Sequence, residues 1–183
     1  MIRFFFKFLF GITGWRIEGA WPGELKKCVL IVAPHTSMMD FFIGVAARSI
    51  GGFRANYLVK EELFRFPLLS WFLRITGGIP IARAGEKKNG VVDSIIQLFE
   101  EREALILALA PEGTRKKVEH FKTGFYRIAR GAKVPIVLVA FDFEHKVVQY
   151  LGVYRPTGVM EEDMAYIENQ YRGIKGKKSA LSF

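Results

Sequence analysis

Cysteine and histidine are both scarce in this 183-residue sequence. The single cysteine, Cys28, excludes an intramolecular disulfide and is compatible with a reducing compartment. The three histidines, His35, His120 and His145, are scattered, and none has a partner at the spacing of a zinc site. We therefore expect no metal ion, and Cys28, which begins an apolar run, is predicted to lie in the core.

The sequence also lacks a long hydrophobic run and two common catalytic motifs. A transmembrane helix needs about 20 mainly apolar residues, but the apolar N-terminal stretch contains Lys7 and Arg16. Neither a Gly-x-Ser-x-Gly nucleophile elbow nor a phosphate-binding P-loop is present. These absences disfavour a membrane-spanning N-terminus, a covalent acyl-enzyme and P-loop nucleotide chemistry.

Acidic residues are too few to balance the basic ones. The chain has 27 Lys and Arg against 18 Asp and Glu, which gives a formal net charge of +9. Such a charge favours an anionic partner, which is nucleic acid, a membrane surface or a phosphorylated substrate. No nucleic-acid recognition motif accompanies the charge, so we expect no nucleic-acid partner.

The N-terminal residues 1–20 mix aromatic and basic side chains, which is typical of a helix at a membrane interface. Phe4, Phe5, Phe8 and Lys7 predict an amphipathic interfacial helix on an anionic membrane surface. Two alternatives remain open, a helix packed on the core and a signal peptide, and the internal charge argues against the signal peptide. A second apolar stretch, residues 60–74, is expected to combine inner packing with a membrane-facing patch.

Apolar runs of strand length alternate with segments of helical periodicity after residue 20. This pattern predicts a single α/β domain over residues 21–172, with a mostly parallel or mixed sheet flanked by helices. The predicted strands are 28–33, 54–59, 79–82, 105–110, 134–140 and 147–153, and the predicted helices are 38–49, 91–101, 123–131 and 160–172. Pro80 cannot donate to a strand ladder, so its strand is expected at an edge. The basic tail, residues 173–183, is expected to be mobile.

Three polar segments each directly follow an apolar strand. They are His35–Asp40, Arg83 and Glu112–Arg115. In α/β folds the ligand crevice lies beyond the carboxyl ends of the strands. If these strands are parallel, the three segments converge at one edge of the sheet, and the sequence predicts the functional site there.

His35 and Asp40 are the strongest catalytic candidates. A carboxylate on one ring nitrogen of histidine fixes the tautomer that leaves the other nitrogen free as a base. Residues five apart on an ideal helix point about 140° away from each other, so the two meet only if His35 lies in a loop and Asp40 on the following helix. Ser37-x-x-Asp40 also fits a capping box, in which the carboxylate serves only the backbone. The spacing alone leaves both interpretations open.

The remaining candidates also allow structural interpretations beside functional ones. Ser37 is a nucleophile or, in better agreement with capping preferences, a helix cap or a loop hydrogen-bonding group. The N–H groups near Gly113 suit a phosphate or an oxyanion, but Glu112-Gly113 also fits an ordinary turn. Arg83 and Arg115 suit an anionic group on a substrate or are surface charges.

Four motifs in order resemble those of the glycerophospholipid acyltransferases of the lysophosphatidate acyltransferase type. They are His35-x4-Asp40, Gly78-Ile-Pro-Ile-Ala-Arg83, Pro111-Glu-Gly-Thr-Arg115 and Val134-Pro-Ile-Val137. Each motif is short, but their order and separations are similar to those of the family. The resemblance covers roughly residues 28–155.

The resemblance implies transfer of an acyl group from a thioester, acyl-CoA or acyl carrier protein, to a lysophospholipid hydroxyl, most typically that of 1-acylglycerol-3-phosphate. It implies that His35 is the base and Asp40 its orienting partner, with no cofactor besides the thioester co-substrate. The residues that it assigns to substrate binding are Ser37, Arg83, Glu112, Gly113, Thr114 and Arg115. With the basic charge and the aromatic N-terminus, we expect a peripheral enzyme on the cytoplasmic face of a membrane.

Other functions use the same residues. In a thioesterase or lipid hydrolase His35 would activate water, and transfer to a different amphiphilic acceptor would leave the chemistry unchanged. A lipid-binding protein without catalysis would keep the fold and the basic, aromatic face. Product analysis with and without an acceptor distinguishes these functions.

Overall fold

The computed structural model describes residues 2–81 and 90–183. Within them, one mixed sheet is formed by β1 (Arg16–Glu18), β2 (Lys27–Ala33), β3 (Asn56–Lys60), β4 (Gly78–Ile81), β5 (Leu105–Leu109), β6 (Ile136–Asp142) and β7 (Val147–Tyr154). The strand order is β1-β7-β6-β2-β5-β3-β4. Neighbouring strands pair in parallel, except for the antiparallel β6 and β7.

The helices cover both faces of this sheet. They are α1 (Ile2–Thr13), α2 (Met39–Gly51), α3 (Pro67–Ile75), α4 (Val91–Glu101), α5 (Gly124–Gly131) and α6 (Met160–Asn169), with short 3-10 helices at Glu61–Arg65 and Ser179–Leu181. Successive strand residues point to opposite faces, so β2 supplies Leu30 to the core under α1 and α2, and Val29 to the core under α4–α6. Leu73 of α3 lines a cavity with Leu30, which places α3 on the face of α1 and α2. We call these two sides the α1–α3 layer and the α4–α6 layer.

The predicted α/β fold is confirmed, including its mixed sheet with helices on both faces. The strand that contains Pro80 is β4, and it lies at the edge of the sheet as predicted. The helix α2 ends at Gly51 and is followed by the C-cap residue Gly52, whose φ of 77° is a left-handed conformation that glycine adopts at low cost. β1 and α3 are elements that the sequence patterns did not predict.

The N-terminal helix packs in part against the domain, and an interfacial role for its exposed side chains stays a prediction. Phe10 is buried in the core of the α1–α3 layer, whereas Phe4, Phe5 and Phe8 remain exposed. The strand β1 that follows pairs with β7, so residues 16–18 form part of the sheet. Among the described helices, none has the length and apolar character needed to cross a membrane.

The basic tail was predicted to be mobile, and the structure contradicts this. The carbonyl oxygen of Lys175 accepts a hydrogen bond from the Phe143 N–H at 2.8 Å. The Phe183 ring packs against the Phe121 ring, with 4.4 Å between the centroids. The prediction failed because the charges dominate the tail composition, whereas the contacts are made by the backbone of Lys175 and Lys178 and by the Phe183 ring.

Candidate active site

The loop between β2 and α2 carries the catalytic candidates, and Asp40 organises it. His35 lies in the loop and Asp40 in the first turn of α2, which is the arrangement that their spacing requires. The Asp40 Oδ2 atom accepts hydrogen bonds from the N–H groups of Thr36 at 2.8 Å and Ser37 at 2.9 Å. The same oxygen lies 3.0 Å from His35 Nδ1. One rotamer of Asp40 therefore holds the backbone and orients the imidazole, so the two interpretations of its sequence context are compatible.

The other imidazole nitrogen of His35 faces Arg115. The Arg115 Nε–H donates to His35 Nε2 at 3.4 Å, and the Arg115 guanidinium also contacts the Met38 sulfur at 3.2 Å. With Nδ1–H directed at Asp40, Nε2 carries the lone pair that a base needs. The structure thus brings His35, Asp40 and Arg115 together, as the sequence predicted from the ends of β2 and β5.

Glu112 lies beneath this loop. Only 4% of the residue is exposed, and its Oε1 atom accepts a hydrogen bond of 2.7 Å from the His35 backbone N–H. Burial raises the pKa of this carboxyl group, and the hydrogen bond from His35 partly offsets that effect. The resemblance assigns Glu112 to substrate binding, which stays a prediction; in the structure its carboxylate contacts the backbone of His35.

Ser37, Gly113 and Thr114 form hydrogen bonds within their own loops. The Ser37 hydroxyl oxygen accepts from the Met39 N–H at 3.0 Å, which agrees with a hydrogen bond within the loop, since the N-cap residue of α2 is Met38 and no side chain caps this helix. The Gly113 N–H donates to the Ala110 carbonyl, and the Thr114 hydroxyl accepts from the Lys116 N–H at 3.2 Å. These contacts fit turns, and a substrate role for the three residues stays a prediction. Arg83 lies outside the described residues.

A cavity of about 570 Å³ extends from His35 into the α1–α3 layer. Its wall follows α2 from Met38 to Arg48, a distance of about 15 Å at 1.5 Å per residue. Most of the lining side chains are apolar, from the sheet, α2 and α3; they include Leu30, Phe41, Val45, Leu69, Phe72 and Val139. The volume is within the range of small-molecule sites. Of the site residues predicted from the sequence, His35, Asp40 and Arg115 line this cavity.

A few polar side chains in the cavity wall were not predicted from the sequence. The Tyr57 hydroxyl is 2.7 Å from Thr76 Oγ1, and the Arg48 guanidinium donates to the Ala55 carbonyl. Burial raises the pKa of Tyr57 and lowers that of Arg48. Because these groups bond to each other or to the backbone, the wall stays suited to an apolar chain. In the sequence, these residues are marked only as polar positions within apolar segments.

A histidine base at the entrance of an apolar cavity suits the activation of a hydroxyl group beside an aliphatic chain. A buried carboxylate 3.0 Å from the imidazole, as Asp40 is here, suits the stabilisation of an imidazolium if His35 takes a proton. In residues 2–81 and 90–183, no cluster of three or more His, Cys, Asp or Glu side chains is arranged to hold a metal ion.

Comparison with known proteins identifies relatives of one kind. Residues 17–142 match the family model described as Acyltransferase. A probable 1-acyl-sn-glycerol-3-phosphate acyltransferase 5 of Arabidopsis thaliana is 35% identical over 98 residues, covering 50% of this chain and 26% of the relative. The 1-acyl-sn-glycerol-3-phosphate acyltransferase of Saccharomyces cerevisiae is 28% identical over 121 residues, covering 62% of this chain and 38% of the relative. The matched regions are thus well under half of these relatives' lengths.

A solved structure shares the fold. The 1-acyl-sn-glycerophosphate acyltransferase PlsC of Thermotoga maritima superposes with a TM-score of 0.63 at 22% identity. The match covers 92% of this chain and 74% of that one. At this identity the likeness supports the architecture, and the chemistry depends on the residues described above.

Proposed function

Because this chain belongs to the acyltransferase family, we propose that it transfers a fatty acyl group from a thioester to the hydroxyl of a lysophospholipid, above all 1-acylglycerol-3-phosphate. The donor is acyl-CoA or acyl carrier protein. The observation that carries this proposal is the His35–Asp40 pair, 3.0 Å apart, at the entrance of an apolar cavity. The acyltransferase names of the matched relatives support the acceptor.

The proposed reaction needs no nucleophile from the protein. His35 Nε2 takes the proton of the acceptor hydroxyl as its oxygen attacks the thioester carbonyl carbon. The tetrahedral intermediate collapses with cleavage of the carbon–sulfur bond, and the leaving thiolate takes the proton from the imidazolium. Asp40, buried and 3.0 Å from Nδ1, favours the imidazolium during this cycle. The mechanism agrees with the absence of a nucleophile elbow.

The site has an apolar part and a basic part, which suit different groups of the substrates. The apolar cavity holds an acyl chain away from water, next to the base. Arg115 is exposed beside His35, and Lys116 and Lys117 follow it, which provides positive charge for a phosphate group. When the phosphate binds Arg115, the contact between the guanidinium and His35 Nε2 is broken, and the nitrogen becomes free for the acceptor hydroxyl. The family resemblance adds Arg83 as a second phosphate ligand.

We also propose that the α1–α3 layer docks on an anionic membrane surface, in the cytoplasmic leaflet. On α3, Leu68, Trp71 and Ile75 are 81%, 61% and 58% exposed and recur at helical spacing. The exposed rings of α1 add apolar area, and exposed basic residues lie on or next to both helices, namely Arg3, Lys7, Arg65 and Arg74. The Phe72 ring of α3 is 6.2 Å from Phe41, which lines the cavity, so a bound bilayer lies close to the cavity entrance.

The decisive experiment is a mass-spectrometric analysis of products with acyl-CoA or acyl carrier protein thioester as the donor. Lysophosphatidate, other lysophospholipids and no acceptor are compared in parallel reactions. We expect a diacyl product that forms only when the acceptor is present. Fatty acid release at the same rate without acceptor would instead indicate a thioesterase. Binding to vesicles without turnover on any donor and acceptor would indicate a lipid-binding protein.

A further inference from the structure

The C-terminal residues 174–183, here called the strap, cross the carboxyl edge of the sheet next to the catalytic loop. We propose that the strap holds the His35–Asp40 loop in its catalytic geometry, through contacts with Thr36. This inference rests on the proposed acyl transfer. The strap lies outside residues 17–142, the region that matches the family model, and outside the four sequence motifs.

The strap is fastened at the ends of three neighbouring strands. After β6, the Phe143 N–H donates to the Lys175 carbonyl at 2.8 Å. After β2, the Lys178 N–H donates to Thr36 Oγ1 at 3.1 Å. In the segment after β5, the rings of Phe121 and Phe183 pack together. A hydrogen bond of 2.9 Å from the Gly176 N–H to the Ser182 hydroxyl closes the strap on itself.

Thr36 links the strap to Asp40 through two hydrogen bonds. Thr36 is 2% exposed, its side chain accepts from the strap, and its own N–H donates to Asp40 Oδ2 at 2.8 Å. That oxygen orients His35. A displacement of Thr36 therefore moves Asp40 or breaks its bond to the loop. Neither Thr36 nor Gly176 lines the cavity, so both are positioning residues.

The fit between the strap and the loop leaves no room for a side chain at position 176. A Cβ atom there would lie 2.7 Å from Thr36 Oγ1, 2.8 Å from Thr36 Cγ2 and 3.2 Å from the Pro34 Cβ. Gly176→Ala therefore pushes on the catalytic loop from outside the cavity. Gly124→Ala is a matched control, because no atom lies within 4 Å of the added methyl group and its backbone has no positive φ.

The test compares two pairs of variants in the acyl transfer reaction. Thr36→Val removes the acceptor of the Lys178 N–H at constant shape, whereas Thr36→Ser keeps it. We expect kcat to fall about 10- to 100-fold in Thr36→Val and in Gly176→Ala, because misplacements of about 1 Å have effects of this size. KM for lysophosphatidate should stay within about twofold, since substrate contacts are unchanged. Thr36→Ser and Gly124→Ala should retain wild-type kcat.

Amide hydrogen exchange gives a readout that does not depend on turnover. The Thr36 and Ser37 N–H groups should exchange faster in Thr36→Val and Gly176→Ala than in the wild type, because their bonds to Asp40 weaken. Wild-type kcat together with wild-type exchange at both amides would overturn the role of the strap. If Gly176→Ala does not fold, Thr36→Val decides the question. If the wild type transfers no acyl group at all, the proposed function fails, and the exchange rates still test the strap.

Discussion

The two helical layers of this protein differ in how completely they bury large apolar side chains. In the α4–α6 layer, Phe99, Tyr126 and Ile167 are almost completely buried. In the α1–α3 layer, Phe4 and Leu68 are 75% and 81% exposed, and a cavity separates α2 and α3 from the sheet. The large apolar side chains of the α1–α3 layer are thus less tightly packed than those of the α4–α6 layer. The difference agrees with the proposal that the α4–α6 layer mainly stabilises the fold, while the α1–α3 layer binds the substrates and the membrane.

Buried carboxylates show the same division. In the α4–α6 layer, Asp163 accepts hydrogen bonds from the Tyr126 and Tyr154 hydroxyls and from the side chain and backbone of Thr157. Burial raises the pKa of Asp163, but these hydrogen bonds outweigh it and lower the pKa to about 2. Asp40, by contrast, directs part of its hydrogen-bonding capacity at a histidine that reaches the cavity.

The largest expected effect is on catalysis. His35→Gln and Asp40→Asn should each lower kcat by about 10² to 10⁴-fold, the contribution of general acid–base catalysis. His35→Gln should leave the melting temperature near that of the wild type, because the imidazole is partly exposed and fills no core space. Steady-state kinetics and thermal unfolding measure the two quantities. Near-normal turnover in His35→Gln would remove His35 from the mechanism.

The α4–α6 layer should respond in the opposite way. Asp163→Asn weakens the hydrogen bonds that Tyr126, Tyr154 and Thr157 donate to a buried carboxylate, so the free energy of unfolding should fall by about 2–4 kcal/mol. Urea unfolding measures this loss. The kcat per folded molecule should not change, since Asp163 does not line the cavity. A fall in kcat at full folding would show that the two layers are functionally coupled.

Exposed residues of α3 should affect membrane binding but not stability. Trp71→Ser and Leu68→Ser should each weaken binding to anionic vesicles by about 1–2 kcal/mol, the value of one large apolar side chain leaving a membrane interface. Vesicle sedimentation measures the binding. Tyr166→Ser is a matched control, because Tyr166 is 52% exposed but lies on α6 in the other layer. Equal losses for the two layers would contradict docking through the α1–α3 layer.

The smallest effect is an acid dependence of stability in the α4–α6 layer. The carboxyl group of Asp163 titrates near 3.8 in the unfolded chain and near 2 in the folded protein. Its contribution is therefore complete above pH 4 and is lost as the pH falls towards 2. Urea unfolding of wild type and Asp163→Asn between pH 5 and 2 should show a smaller difference at the acidic end. A constant difference would mean that Asp163 does not titrate in this range.

The sequence predicted the parts of the molecule that depend on local patterns. Runs such as 105–110 and 134–140 predicted the central strands, because a strand buried on both faces needs continuous apolar residues. The convergence of His35 and Arg115 followed from parallel strands that end at one edge. The edge position of β4 was predicted from Pro80, which has no N–H group to donate to a neighbouring strand.

Features that depend on contacts between distant residues were not predictable in this way. The strap touches Thr36 from 142 positions away, and its composition indicated only charge. The hydrogen bond from the His35 N–H to Glu112 joins the loop after β2 to the turn after β5. It depends on how closely these two segments pack, which the sequence does not show. The apolar residues of α3 look the same in sequence whether they fill a core or stay exposed, because periodicity describes a face and not what covers it.

Because one oxygen of Asp40 contacts Thr36, Ser37 and His35, the proposed mechanism makes activity depend on the fraction of molecules in which the first turn of α2 is formed. When the first turn of α2 opens, Asp40 Oδ2 loses its hydrogen bonds to the Thr36 and Ser37 N–H groups and its contact with the His35 imidazole at the same time. The proposed base is then no longer oriented. The observed rate is then scaled by the fraction of molecules in which this turn is closed. Substitutions in that turn should change the measured kcat through the population of the closed state, even where they touch neither substrate.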